Sequence, residues 1–299
     1  MICNTMYYHS TILSKGVLPV ITNRPKIIVF DLDGTLYEDT HHFDFYINSV
    51  AEQLKGEIKE KCLKDYGAIL NNEHPLKVGR IYDALQDLII VQLDNRVQDV
   101  YDWNGFKYSE EKIEQLYSQP IHIDMERYLS IGDLWWVPSA IGVHYGLELH
   151  QTRQSFFKTR EYMMGPDFNV TPVPGLKSCL EILKENITLV LITNSPEVDS
   201  EEILNKLGLN GLFTEKIFRA LKPSETFNHF KYLSDKYSIS FSEILSIGDN
   251  YINEILPVQS LSCQTIYIDP HNTSYEPKAN ITVSKISEII PILNNLVSL

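Results

Sequence analysis

Three apolar runs in this chain each stop on a polar tip, and that pattern constrains the fold more than any other feature. KIIVFDLDG (26–34), ITLVLITNS (187–195) and EILSIGDN (243–250) read as near-continuous apolar strands, the kind buried on both faces of a parallel sheet. Helical patterns separate them: VPGLKSCLEILKEN after Pro172, PEVDSEEILNKLGL opening on Pro196 and acids, and KPSETFNHFKYLSDKY. EKIF and CQTIYID supply two further strands, and KISEIIPILNNL reads as a closing helix interrupted at Pro291. Strands alternating with helices make βαβ units and a doubly wound parallel sheet, an α/β fold of the Rossmann-like kind. In such sheets ligands sit beyond the carboxyl ends of the strands. The tips DLD, TNS and GDN all fall there.

The first tip carries two carboxylates, Asp31 and Asp33. Side chains alternate along an extended strand, so these two start on the same side. Placing them together costs free energy unless a cation or a shared proton offsets the repulsion. Gly34 and Thr35 follow, and a glycine lets the backbone turn sharply and approach a ligand.

The segment 37–171 differs. DFYINSVAEQLKGEIKEKCLKDYG, VGRIYDALQDLIIVQLD, YSEEKIEQLYSQP and HQTRQSFFKTREYMM all read as amphipathic helices with no comparable buried strand. All three tryptophans, Trp103, Trp135 and Trp136, lie in it. An insert placed just after the first strand hangs over the strand ends as a lid, able to exclude water and contact substrate. The expected division is an extension over 1–24, a core of 25–36 and 172–299, and a mainly helical cap over 37–171.

The formal charge of −13 argues against a nucleic-acid polymer or an anionic membrane as partner. A phosphorylated substrate must therefore be drawn in by a local cation site. Cys3, Cys62, Cys179 and Cys263 form no CxxC pair, which reads as a reduced, cytoplasmic protein. The N-terminal stretch has neither a charged n-region nor an apolar core, and no run is long enough to span a bilayer.

The ordered set Asp31-Leu-Asp33-Gly-Thr, Thr193-Asn-Ser, Lys222-Pro and Gly248-Asp249 with Glu254 resembles the haloacid dehalogenase-like hydrolase superfamily. Single motifs of this kind are noise; all four in order, each at its place in a βα alternation, carry weight. The resemblance implies a phosphatase-type enzyme acting on a small phosphorylated metabolite; the aromatic content suggests a nucleoside monophosphate, with a sugar phosphate nearly as good. It implies Asp31 as nucleophile forming an aspartyl-phosphate, Asp33 as general acid and base, and Thr193 and Lys222 as partners of the phosphoryl group. Gly34, Asn194 and Ser195 are the implied substrate contacts. The implied cofactor is Mg²⁺, held by Asp31, the Asp33 backbone carbonyl and Asp249. Glu254 stands where the family often has a second aspartate; its extra methylene suits a metal-bound water, or Asn250 or Asn253 shares the role. A phosphomutase or a dehalogenase is an alternative within the superfamily, although dehalogenase chemistry needs no metal and usually lacks the acid at the position of Asp33. A non-catalytic binding protein that keeps the fold is the alternative outside it.

In the cap the plainer expectation is preferred. Trp135 and Trp136 read as cap core before stacking platform, His41 and His42 as exposed on a hinge, and Arg153, Lys158 and Arg160 as a solvated helix face.

Overall fold

The computed structural model describes residues 21, 23–93, 95–273, 275 and 278–298; most of the expected N-terminal extension lies outside them. In chain order the elements are β1 (Ile27–Phe30), α1 (His41–Ala51), α2 (Glu57–Leu70), β2 (Ile81–Asp83), β3 (Leu88–Leu93) and β4 (Arg96–Tyr101). Then come α3 (Glu110–Leu116), β5 (Tyr128–Ser130), α4 (Val137–His144), α5 (Leu149–Met164), α6 (Leu176–Leu183), β6 (Thr188–Ile192) and α7 (Glu197–Leu207). The chain closes with β7 (Glu215–Ile217), α8 (Thr226–Tyr237), β8 (Ile244–Gly248), α9 (Leu256–Gln259), β9 (Gln264–Ile268), β10 (Ile281–Val283) and α10 (Ile289–Ser298).

Six strands form one sheet in the order β10-β9-β8-β1-β6-β7, paired in parallel throughout. Alternate residues of the central strand serve opposite faces. Ile28 and Phe30 pack with α6, α7 and α10 through Leu180, Leu183, Ile203, Leu204 and Leu293. Ile27 and Val29 pack with α8 and α9 through Phe230, Leu233 and Val258. Helices on both faces explain why these strands are apolar at every position. Each such residue taken fully out of water contributes about 1.5–3 kcal/mol. With β6 and β8 on either side of β1, the carboxyl ends of all three open at the point where the strand order reverses.

The insert is mainly helical, with α1, α4 and α5 packed around Tyr46, Ile47, Val50 and Ile141. It also holds a four-stranded antiparallel sheet, order β4-β3-β2-β5. The helix expected over 78–94 is therefore corrected to the hairpin β2–β3. Asp83 turns the chain by accepting the Leu85 and Gln86 N–H groups, and Asp87 adopts a φ of 53°. Alternate residues of β3 serve opposite faces: Ile89 packs with the helices while Leu88 and Ile90 pack with α3. The first expected helix is likewise two, α1 and α2, broken at Gly56 with its φ of 56°. Among the described residues no helix is long and apolar enough to cross a membrane.

Candidate active site

The site grows out of the end of β1. The Asp31 N–H still donates to the Ile247 carbonyl at 3.1 Å, so Asp31 is held as rigidly as the strand. Gly34 then turns the chain at a φ of 75°, where an L side chain is strained. It also leaves room for Asp249, whose Oδ2 lies 2.1 Å from where a Cβ on Gly34 would sit. The acid at the end of β8 thus leans directly on the turn that carries Asp31 and Asp33.

Lys222 joins the pieces. Its ammonium donates to Asp31 Oδ1 at 2.8 Å, Glu254 Oε1 at 2.6 Å and the Ile192 carbonyl at 2.8 Å, which uses all three of its protons. Asn194 clamps the backbone of Lys222 at two points: Oδ1 accepts its N–H at 2.7 Å and Nδ2 donates to its carbonyl at 3.0 Å. Glu254 accepts the Asn250 N–H on its second oxygen at 2.9 Å, so both oxygens are engaged within the protein. The π-helical turn Tyr251–Ile255 delivers it, and only a glycine at 248 leaves space for its Cβ and Cγ.

Asp33 has separate support. Tyr37 Oη donates to Oδ1 at 2.5 Å, Ser195 Oγ donates to Oδ2 at 2.7 Å, and Arg160 Nη1 lies 3.4 Å from Oδ1. Thr193 is buried beside it and accepts the Ser195 N–H at 3.1 Å. All the residues expected in the site thus converge at the carboxyl ends of β1, β6 and β8, on one cavity of about 1110 Å³ that runs under the cap.

The electrostatics separates the carboxylates. Burial raises the Asp31 carboxyl above its usual range despite Lys222, with Asp33 adding repulsion. Burial also acts on Asp33, but Arg160, Tyr37 and Ser195 outweigh it and hold that carboxyl below the usual range. Asp249 is pushed well up by burial and by Asp31, Glu254, Asp133 and Asp33. Burial lifts Glu254 to about 8 even though Lys222 pulls it down. Burial also acts against the charge on Lys222, but Asp31 and Glu254 win and raise its pKa. Crowded oxygens whose charge a single lysine only partly offsets suit a hard divalent cation. Among the described residues no three His, Cys, Asp or Glu side chains form a closed metal cage. Mg²⁺ does not need one, because it keeps several waters and takes one or two carboxylates. Two carboxylates and a backbone carbonyl fit it.

Two cap residues depart from expectation. Arg160 is not solvated but 6% exposed, with Nε on Asp199 Oδ2 at 2.9 Å and the guanidinium 5.5 Å above the Trp135 ring. A signal existed: it shares the buried face of α5 with Thr152, Ser155, Thr159 and Met163. Arg153 and Lys158 are exposed as expected. His42 is not on an exposed hinge but 2% exposed among Phe43, Trp135 and Phe168, while its neighbour His41 is exposed. Trp135 both packs in the cap core and lines the cavity. Tyr37, Asp133 and the Asp133–Asn250 hydrogen bond of 2.9 Å between cap and core had no motif to announce them.

Burial lowers the His42 pKa to about 3, well below the 6.5 of an exposed imidazole. The unfolded chain therefore takes up a proton between these values that the folded chain refuses. The stability tied to neutral His42 is present above pH 6.5 and is lost as pH falls towards 3, at about 1.4 kcal/mol per pH unit. Denaturant titrations should show His42→Phe gaining on the wild type as pH drops from 7 to 4. A difference that stays constant with pH contradicts the assignment.

A family model for haloacid dehalogenase-like hydrolases matches residues 25–256. The chain belongs to the haloacid dehalogenase-like hydrolases. No curated protein matches this hydrolase in sequence. A structure described as the HAD-hydrolase YfnB of Bacillus subtilis, bound to magnesium, superposes with a TM-score of 0.50 at 15% identity. The match covers 91% of this hydrolase and 100% of that chain, and supports the fold. A predicted phosphoglycolate phosphatase from Haemophilus somnus 129PT matches with a TM-score of 0.49 at 18% identity, over 91% and 99% of the two chains.

Proposed function

We propose that this hydrolase is a Mg²⁺-dependent phosphatase that opens a small phosphate monoester through an aspartyl-phosphate on Asp31. The observation that carries the reading is the separate support of two neighbouring carboxylates: Asp31 on Lys222, and Asp33 on Tyr37, Ser195 and Arg160. Separate partners let two neighbouring carboxylates take separate roles, with Lys222 offsetting the charge of the attacking Asp31. The second, independently held carboxylate also favours phosphatase over dehalogenase chemistry.

In the first half-reaction an Asp31 oxygen forms a bond to phosphorus as the ester P–O bond breaks, and the leaving oxygen takes a proton from Asp33. Arrival of the phosphoryl charge beside Asp33 favours its protonated form, which this step needs. In the second, Asp33 takes a proton from water whose oxygen attacks phosphorus, releasing phosphate and restoring Asp31. Thr193 donates to a phosphoryl oxygen, Lys222 offsets the charge on Asp31 and the phosphoryl group, and Asn194 and Ser195 hold Lys222 and Asp33 in place. Asp31, the Asp33 carbonyl and Asp249 would hold Mg²⁺, which when bound would supply electrostatic stabilisation of the transferring group. Glu254, with both oxygens engaged, serves as the counter-ion of Lys222 rather than as an inner ligand. The free, buried Cys62, Cys179 and Cys263 are in keeping with a reducing, cytoplasmic setting.

The test compares two variants. Asp33→Asn should slow p-nitrophenyl phosphate hydrolysis by roughly 10²–10⁴-fold yet keep the rise in thermal midpoint that Mg²⁺ produces. That rise corresponds to about 2.7 kcal/mol at one hundred times the dissociation constant. Asp249→Asn should lose it. Activity that survives chelation, or equal loss of the Mg²⁺ shift in both variants, overturns the reading.

A further inference from the structure

The donors that hold Asp33 are shared unequally between its two oxygens. Oδ1 accepts Tyr37 Oη at 2.5 Å and Arg160 Nη1 at 3.4 Å, while Oδ2 accepts Ser195 Oγ at 2.7 Å. A carboxylate oxygen has about two lone-pair sites, so Oδ1 is full and Oδ2 keeps one site open. The donors on Oδ1 are also the fixed ones. A guanidinium gives up no proton, and Arg160 is tied through Nε to Asp199 at 2.9 Å. Tyr37 is 1% exposed, and its hydroxyl has no acceptor other than Asp33 among the described residues. A proton placed on Oδ1 would turn one of these donors away, and a buried donor without an acceptor is costly. The Ser195 hydroxyl, by contrast, can rotate and either donate or accept.

We propose that Asp33 gives and takes its catalytic proton through Oδ2, and that Tyr37 is the positioning residue that reserves Oδ1 as an acceptor and so fixes which oxygen works. The proposal rests on the phosphatase reading. In the first half-reaction the ester P–O bond breaks with its electron pair going to the leaving oxygen, which takes the proton from Oδ2. In the second, the water oxygen bonds to phosphorus and its proton returns to Oδ2. The Asp33 side chain is 16% exposed and lines the cavity, so an ester can reach it. Tyr37 keeps its own proton and acts only through Asp33. It leaves the same turn that carries Asp33, closed by the Leu36 N–H on the Leu32 carbonyl at 2.9 Å, so its hold does not depend on the cap. Arg160 reaches Oδ1 from the cap helix α5. Without the phenol hydroxyl Asp33 is free to turn, and a proton on Oδ1 points at Arg160 instead of the ester. Misplacing a reacting group by an ångström is enough to slow the step.

Phenyl phosphate and p-nitrophenyl phosphate make a matched pair of probes. Phenolate needs a proton as it leaves far more than p-nitrophenolate, a much weaker base, and kcat/KM reports the steps up to cleavage of the ester bond. Tyr37→Phe removes one oxygen and keeps the buried ring. It should lower kcat/KM for phenyl phosphate roughly ten-fold more than kcat/KM for p-nitrophenyl phosphate, while the rise in thermal midpoint with Mg²⁺ stays as in the wild type. Ser195→Ala should lower both values by similar factors. Equal losses on the two esters in Tyr37→Phe, or a selective loss in Ser195→Ala as large as in Tyr37→Phe, overturns the assignment and leaves the phosphatase reading standing. If Tyr37→Phe does not fold, Ser195→Ala decides: similar losses uphold the assignment, and a loss confined to phenyl phosphate overturns it. A wild type that hydrolyses neither ester removes the phosphatase reading, and the assignment with it.

Discussion

Asp31→Asn should abolish hydrolysis of p-nitrophenyl phosphate, a loss of roughly 10⁴-fold or more, while the metal-free protein melts no lower than the wild type. The two halves have one cause. Asp31 is a buried carboxylate whose charged form the fold disfavours, with Asp33 close by and Lys222 shared with Glu254. Asparagine keeps the shape and removes the repulsion on Asp249, and Lys222 still has Glu254 and the Ile192 carbonyl. Sites that strain the fold to hold a reactive group behave in this way. The checks are a turnover assay, acid-quenched trapping of a phosphorylated protein in the wild type alone, and a melting curve in chelator. Residual activity above a few per cent of wild type would remove Asp31 from the role of nucleophile.

Lys222→Met should be the most destabilising change in the site. It removes the ammonium between Asp31 and Glu254, both at most 8% exposed, and leaves two buried carboxylates without their cation. Breaking a buried pair from one side costs about 3–5 kcal/mol, a fall in midpoint of roughly 10 °C for a chain of this size. The deficit should depend on pH. Even with Lys222 present the Glu254 pKa stands at about 8 against an ordinary 4.5, so its folded form prefers the proton. For an acid raised in this way, stability is lost as pH climbs from the unfolded value through the folded one. Without Lys222 that loss deepens, so the variant should sit nearer the wild type at pH 5 than at pH 8. Glu254→Gln in the same chain should restore part of the stability. Additive effects of the two changes would show that the pair does not interact.

The doubly wound core and its polar tips were legible because a strand buried on both faces must be apolar at every position, and the residues just past its end must emerge at the ligand side. Asp31, Thr193 and Asp249 follow their strands directly, so order along the chain fixes their place in space. Lys222 has no strand tip of its own, and its motif located it. The cap obeys no such rule. The run 78–94 has apolar spacing that suits a helix or a hairpin, and what selects the hairpin is the Asp83 turn together with a partner strand, β5, that arrives some forty residues later. The burial of His42 and Arg160 escapes the sequence for a related reason. Periodicity says which face of α5 is buried but not what lies against it, and Arg160 meets Asp33 across 127 residues of chain. Local geometry alone carries the sheet and the groups at its edge into place, so both can be read along the chain. Which cap side chains close over them depends on how two separately packed cores meet, and no local pattern in the chain encodes that meeting.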